Sequence, residues 1–242
     1  MKSVGLICEY NPFHNGHLYH LNKIKEMFKD YVVILVLTGN FTQRGDASIL
    51  NKWDKTDIAL HYGIDIVIEL PFVFSTQSAD TFAKGSIQIL EHMKVEHLVF
   101  GSESNDIDLL KKLANIQINN IEYETRVKNY VNDGLSYPSA VSKSLYDFSS
   151  NKITTPNDIL GISYIREIYK LNSKIIPHTI KRTNDYHSNS LDNIVASATS
   201  IRNGIKNNVD IKEYVPEYCY NYLIKKTRFI DEYYDLLKYK IL

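Results

Sequence analysis

Cysteine is scarce in this chain, and charge of one sign and long apolar runs are missing. Only Cys8 and Cys219 occur in 242 residues. Two cysteines so far apart, the first inside an apolar segment, exclude the disulfide framework of a small secreted domain. They also leave the histidines described below without an obviously spaced third ligand, so no metal site is expected. Lysine plus arginine and aspartate plus glutamate stand at 28 each. No global field draws such a chain to nucleic acid, and any RNA contact has to use a local patch. The opening MKSVGLICEYNPF has a basic residue and a short apolar run, but the run stops at Glu9 and is too short for a signal peptide or a membrane span. A cytoplasmic protein with no membrane partner is expected.

What is present suffices for a core. Hydrophobic residues make up 44% of the chain, enough for one large core or one core with a small appendage. Apolar and β-branched runs predict strands near the start and over residues 32–37, 64–70, 97–100 and 174–179. Helical spacing falls between them, over residues 52–62, 79–92, 106–114 and 138–148, and again from Pro156, where Thr155 can cap. Strand and helix alternate, so the economical fold is α/β with a parallel sheet. Residues 115–134 are rich in asparagine and lack a clean period; they read as an irregular or helical connection with no function assigned.

The chain is organised around MKSVGLICEYNPFHNGHLYH. Val4, Leu6, Ile7 and Cys8 suit an inner strand covered on both faces, and Asn11 and Pro12 stop it. After Gly16 the residues Leu18, Leu21, Ile24 and Phe28 recur with the spacing of an amphipathic helix. His14 and His17 therefore stand at a strand-to-helix junction, where free N–H groups and the positive end of the helix dipole suit a nucleotide phosphate. Gly16 lets the backbone approach such a ligand closely. If the helix begins near His14 the two rings share a face, and imidazolium there would stabilise charge growing on a transferring phosphate. A polar turn with two surface histidines, or a metal site begun by them, are the alternatives that the spacing leaves open.

HNGH in this setting resembles the HxGH signature of the nucleotidyltransferase superfamily, whose Rossmann-like domain binds ATP or CTP and transfers a nucleotidyl group with loss of pyrophosphate. The longer strings EYNPFHNGH, GNFTQRGDASILNKWDKTDIAL and DIVIELPFVFSTQSADTFAKG resemble the bacterial tRNA(Met) cytidine acetate ligase family, which acetylates the wobble cytidine of elongator tRNA(Met). The fold so implied is a Rossmann-like parallel sheet with helices on both faces, over residues 1–205. A helical, tyrosine-rich C-terminal segment follows over residues 206–242. Members of the family extend well beyond this length, so the ending at KYKIL reads as the start of a truncated C-terminal region or as a short variant.

In open sheets of this kind ligands bind beyond the carboxyl ends of the strands, which puts residues 9–17, 38–44, 71–78 and 101–104 on one rim. The apolar member, PFVFS, is expected to pack an edge. The resemblance places an ATP site on Ile7, Cys8, Glu9, Tyr10, Asn11, Pro12, Phe13, His14, Asn15, Gly16, His17 and His20. It adds Gly101 in FGSES, Asn157 in PNDILG and Arg182 at a strand end. Taken alone, Asn157 would be a helix cap and Arg182 a surface charge. The stretch ASATSIRNGI can start a second helix, capped by Thr199 or Ser200 and with Arg202 one turn inside. It resembles the superfamily's second signature, so Ser200 and Arg202 are implied to hold the β- and γ-phosphates, beside Thr199. Arg44 and Lys52 could reach the triphosphate or a tRNA phosphate, or be ordinary surface charges. The tail tyrosines, interleaved with Lys225, Lys226 and Arg228, are read as helix faces packing on the core or a partner in preference to base-stacking residues.

The reaction that the resemblance implies begins with acetate attacking the α-phosphate of ATP. Acetyl-adenylate and pyrophosphate form, and the exocyclic amine of the wobble cytidine then takes the acetyl group. ATP is a substrate, and magnesium could accompany it. His14, His17, Ser200 and Arg202 would carry the catalysis, and the partners are ATP, acetate and elongator tRNA(Met). An adenylyl- or cytidylyltransferase acting on a phosphorylated metabolite is the alternative enzyme, and a non-catalytic nucleotide- or RNA-binding scaffold the alternative of another class.

Overall fold

The computed structural model describes residues 2–151, 154–182 and 196–241. Among the described residues there are five strands: β1 (Ser3–Cys8), β2 (Val32–Thr38), β3 (Ile66–Leu70), β4 (His97–Ser102) and β5 (Ile176–Lys181). They form one sheet in the order β3-β2-β1-β4-β5. The register of β1 with β2 (Leu6 opposite Leu35), β2 with β3 (Val36 opposite Ile68) and β4 with β5 (Val99 opposite His178) is parallel throughout. The chain divides into two compact units, Met1–Glu96 with Thr183–Leu242, and His97–Arg182.

In the first unit, β1, β2 and β3 are connected through α1 (Asn15–Met27) and α2 (Lys52–His61). After β3 come the single turn α3 (Phe72–Ser75) and α4 (Ala79–His92). Val33 to Leu37 are all buried, as expected for a central strand covered on both faces. Gly5 in β1 has a packing reason: a Cβ there would come within 2.8 Å of the Leu90 side chain, so its absence lets α4 lie close. The unit is completed by α9 (Ala198–Lys206), α10 (Glu217–Lys226), a 3-10 turn at Ile230–Tyr233 and α11 (Tyr234–Ile241).

The second unit holds β4, β5, α5 (Ile107–Asn119), α6 (Ile121–Asn132), α7 (Tyr137–Ser149) and α8 (Pro156–Lys170). The stretch 115–134 is therefore helical on both sides of a single break. Asn120 ends α5 and starts α6, accepting the N–H of Glu122 on its side chain. PFVFS also departs from expectation. Phe74 lies against Gly85, but Phe72 and Val73 are 61% and 63% exposed. Among the described residues no helix is long and apolar enough to cross a membrane.

Candidate functional site

β1 ends at Cys8, with Ile7 and Cys8 half-buried, and the chain turns through Glu9 to Phe13 before α1. Tyr10 takes a positive φ of 47°, and the Asn11–Pro12 peptide is cis. Tyr10, Asn11, Pro12, Phe13 and His14 are all buried, so the turn is held from within. The Asn11 carbonyl oxygen Oδ1 accepts the N–H of Ile49 at 2.8 Å, and Glu9 Oε1 accepts that of Gln43 at 2.6 Å. The Cys219 thiol, pushed up to about 12 by burial, donates to the Phe13 carbonyl.

A buried amine lies under this turn. Lys55, 1% exposed on α2, donates from Nζ to the Glu9 carbonyl at 2.8 Å and to Thr38 Oγ1 at 3.4 Å. It ties the ends of β1 and β2 together. Desolvation lowers its pKa to about 8, against the opposing pull of Glu9 and Glu69.

The start of α1 is capped by the histidines themselves. Gly16 N–H donates to His14 Nδ1 at 3.0 Å, and His14 N–H donates to His17 Nδ1 at 3.3 Å. This is a reciprocal capping box in which imidazoles take the usual places of serine and glutamate. In both contacts Nδ1 is the accepting ring nitrogen, so the two imidazoles serve the helix start through the same ring atom. The ring centroids are 3.8 Å apart, and His17 also lies 4.8 Å from the Tyr10 ring and 5.8 Å from that of Phe13. No acidic residue stands in the first turn to offset the helix dipole. Asn15 is turned to the tail, donating from Nδ2 to the Glu213 carbonyl at 2.7 Å. His20, one turn further along α1, is half-buried.

The second helix start belongs to the same unit. Ser197, not Thr199 or Ser200, caps α9, because it is Ser197 Oγ that accepts the N–H of Ser200 at 3.1 Å. Ser200 lies inside the first turn, 2% exposed, with Oγ donating to the Ser197 carbonyl; Thr199 is exposed. Arg202 joins the two helix starts: NH1 donates to the Asn11 carbonyl at 2.8 Å and NH2 to Thr199 Oγ1 at 3.2 Å.

Arg44 lies within the connection from β2 to α2, and Lys52 is the first residue of α2. Arg44 is exposed beside Gly45, whose φ of 82° makes the turn. The Lys52 ammonium pairs with Glu69 at 2.7 Å and lies over the Trp53 ring, so much of its charge is already matched. The tail tyrosines of α10 pack on α2: Tyr218 stacks on His61 at 3.7 Å, and the Tyr218 and Tyr222 hydroxyls both donate to Asp57.

The second unit collects the other three candidates. Arg182 follows β5, with its N–H on the Ser102 carbonyl, and NH1 donates to Asn157 Oδ1 at 3.3 Å. Gly101 makes room for the stem of that arginine, since a Cβ would come 3.2 Å from Arg182 Cγ. Asn157 stands in the first turn of α8 and donates from Nδ2 to Glu103 Oε1 at 2.5 Å. The Glu103 carboxylate also receives the N–H groups of Asn157 and Asp158, doing the capping that the sequence assigned to Thr155, whose hydroxyl goes to Asp158 instead. Glu103 and Lys55 are the residues that sequence reasoning missed. The one visible signal for Glu103 was an acidic residue just past a strand end, ready for a proline-started helix. Lys181 points elsewhere than Arg182, donating to the Glu103 carbonyl.

Comparison with known proteins gives a consistent result. The chain is 46% identical over 251 aligned residues to the tRNA(Met) cytidine acetate ligase of Fusobacterium nucleatum, covering 99% of this chain and 62% of that protein. It is 40% identical to the enzyme of the same name from Clostridium novyi, covering 100% and 65%. It thus spans about three-fifths of the length of the curated relatives it matches. Among solved structures, Thermotoga maritima TmcAL in an apo form superposes with a TM-score of 0.89 at 39% identity, over 96% of this chain and 57% of that one. The same protein bound with alpha-thio ATP gives 0.84 at 38%, over 96% and 56%. The family model described as HIGH Nucleotidyl Transferase matches residues 1–242, a range that includes the HNGH of the doubly capped α1 start. With helices around a parallel sheet, two histidines at the end of β1 and a model match over the whole length, the chain belongs to the HIGH nucleotidyltransferase family.

Proposed function

We propose that this chain carries the nucleotide-activating step of a tRNA(Met) cytidine acetate ligase. The observation that carries the reading is the α1 start, where His14 and His17 cap the helix through Nδ1 with ring centroids 3.8 Å apart and Arg202 reaches the same turn at the Asn11 carbonyl. The relatives named tRNA(Met) cytidine acetate ligase, and the similar structure holding an ATP analogue, supply the substrate class.

In the proposed reaction an acetate oxygen attacks the α-phosphorus of ATP, the bond to the bridging oxygen breaks, and pyrophosphate leaves. The exocyclic amine of the wobble cytidine then attacks the acetyl carbonyl, loses a proton and releases AMP. His14 and His17 offset charge at the pentavalent phosphorus and on the departing pyrophosphate, and Arg202, with Ser200 beside it, serves the distal phosphates. The turn from Ile7 to Phe13, with Asn15, Gly16, His20 and Thr199, lines the triphosphate. Within the second unit, Gly101, Asn157 and Arg182 are the residues assigned to ATP. Most of the acceleration is positional and electrostatic, with no covalent enzyme intermediate. Arg44 and Lys52 are assigned to tRNA, and the cytoplasm is where that substrate is met.

The test is ATP–pyrophosphate exchange with a panel of short carboxylates, with and without magnesium. Acetate-dependent exchange is expected, falling about a hundredfold or more in His17→Ala. Exchange that needs a phosphomonoester instead would mark a metabolite nucleotidyltransferase, and ATP binding without exchange a scaffold. A loss under about threefold removes His17 from the mechanism.

A further inference from the structure

Glu103, Asn157 and Arg182 form a short relay whose two ends have only one polarity each. An ionised carboxylate accepts and never donates; a guanidinium donates and never accepts. Asn157 stands between them, Nδ2 toward Glu103 at 2.5 Å and Oδ1 toward Arg182 NH1 at 3.3 Å. Turning the amide over would set N–H against N–H at one end and oxygen against oxygen at the other. The orientation is therefore dictated by chemistry. Two further N–H groups reinforce the acceptor end, because Glu103 also holds those of Asn157 and Asp158 at the start of α8. With that carboxylate seated on the helix start, an anion is disfavoured there, and a neutral part of a ligand fits better.

Each member of the relay keeps capacity to spare. Asn157 has a second N–H on Nδ2 and a second lone pair on Oδ1. The Arg182 Nε–H is buried and has no hydrogen-bond partner among the described residues, an observation independent of the relay, and it leaves a donor that an acceptor on a bound ligand would satisfy. A fixed acceptor beside a fixed donor on one amide matches adenine, which offers an amino donor next to a ring-nitrogen acceptor. A 6-oxo purine sets its carbonyl against the Asn157 oxygen.

We propose that Glu103 is a positioning residue for base selection: it fixes the direction of the Asn157 amide, and so makes the chain favour a 6-amino purine over a 6-oxo purine. The inference rests on the ATP reading given above and adds to it the residue that sets base specificity. It is tested by equilibrium binding of ATP and inosine triphosphate to the whole chain and to Glu103→Gln. The wild-type chain is expected to prefer ATP by about tenfold or more, the discrimination of one bidentate amide. Glu103→Gln, which replaces an acceptor-only end by one of mixed polarity, is expected to lose most of that preference. A cap with no part in selection would weaken both nucleotides alike and leave their ratio unchanged, and that result overturns the inference. Equal binding of the two nucleotides by the wild-type chain overturns it without any variant, so the test survives a Glu103→Gln that fails to fold. Absence of ATP binding by the wild-type chain overturns the ATP reading itself, and the inference falls with it.

Discussion

Side chains at the β1–α1 turn divide into those the sequence displays and those only the fold reveals. His14 and His17 were legible because a local pattern, strand then proline then an amphipathic stripe, places them at a helix start whatever the rest of the chain does. Lys55 was not, since nothing in NKWDK distinguishes a solvated lysine from one that reaches across to the Glu9 carbonyl. Its burial has a measurable sign. The native amine titrates near 8 and the exposed one near 10.5, so between those values the unfolded chain binds more protons and stability rises with pH. Below about 8 both states are protonated and the group contributes no slope. The rise in unfolding free energy across this window is expected to be on the order of 3 kcal/mol. Urea titrations of the wild-type chain and Lys55→Met from neutral pH to about 10.5 check it, and parallel curves would show that the amine is not desolvated.

At the scale of elements, hydrophobic runs were the dependable signal. A parallel strand covered on both faces has to be apolar along its length, and β2, expected over residues 32–37, is found as Val32–Thr38. Capping was less legible, because serine, threonine and asparagine are interchangeable on paper and only geometry chooses among them. The α9 cap falls on Ser197, two residues before the earlier of the positions expected. The asparagine-rich stretch showed no clean period because it spans two helices, with Asn120 ending α5 and capping the start of α6. Asn120→Ala and Ser197→Ala are each expected to lower unfolding free energy by about 1 kcal/mol. Denaturant titration decides the matter, and a change within error would mean that neighbouring groups or water take over the cap.

For the whole molecule, the fold class was legible and the composition of its units was not. Alternation of strand and helix is a local property, whereas the return of Thr183–Leu242 to the unit of Met1–Glu96 depends on contacts between distant positions. The balance of charge is legible at this scale and bears on tRNA. With 28 cations against 28 anions, and the Lys52 charge matched by Glu69, few phosphates should be neutralised. On the proposed function, affinity for tRNA is expected to fall only about tenfold between roughly 50 and roughly 200 mM salt, the slope for about two phosphate contacts. Arg44→Ala should flatten that slope by about one contact and Lys52→Ala much less; a steep slope in the wild-type chain would point to a basic surface elsewhere.

The histidine turn is held by late partners: Arg202 on the Asn11 carbonyl, the Tyr214 carbonyl on the Asn15 N–H, and Cys219 on the Phe13 carbonyl. During translation, residues 11–15 are made well before Arg202, Tyr214 and Cys219, so the turn has to wait for those three before its shape is fixed. ATP added to stalled nascent chains should therefore find no competent turn until α9 and α10 have cleared the exit tunnel.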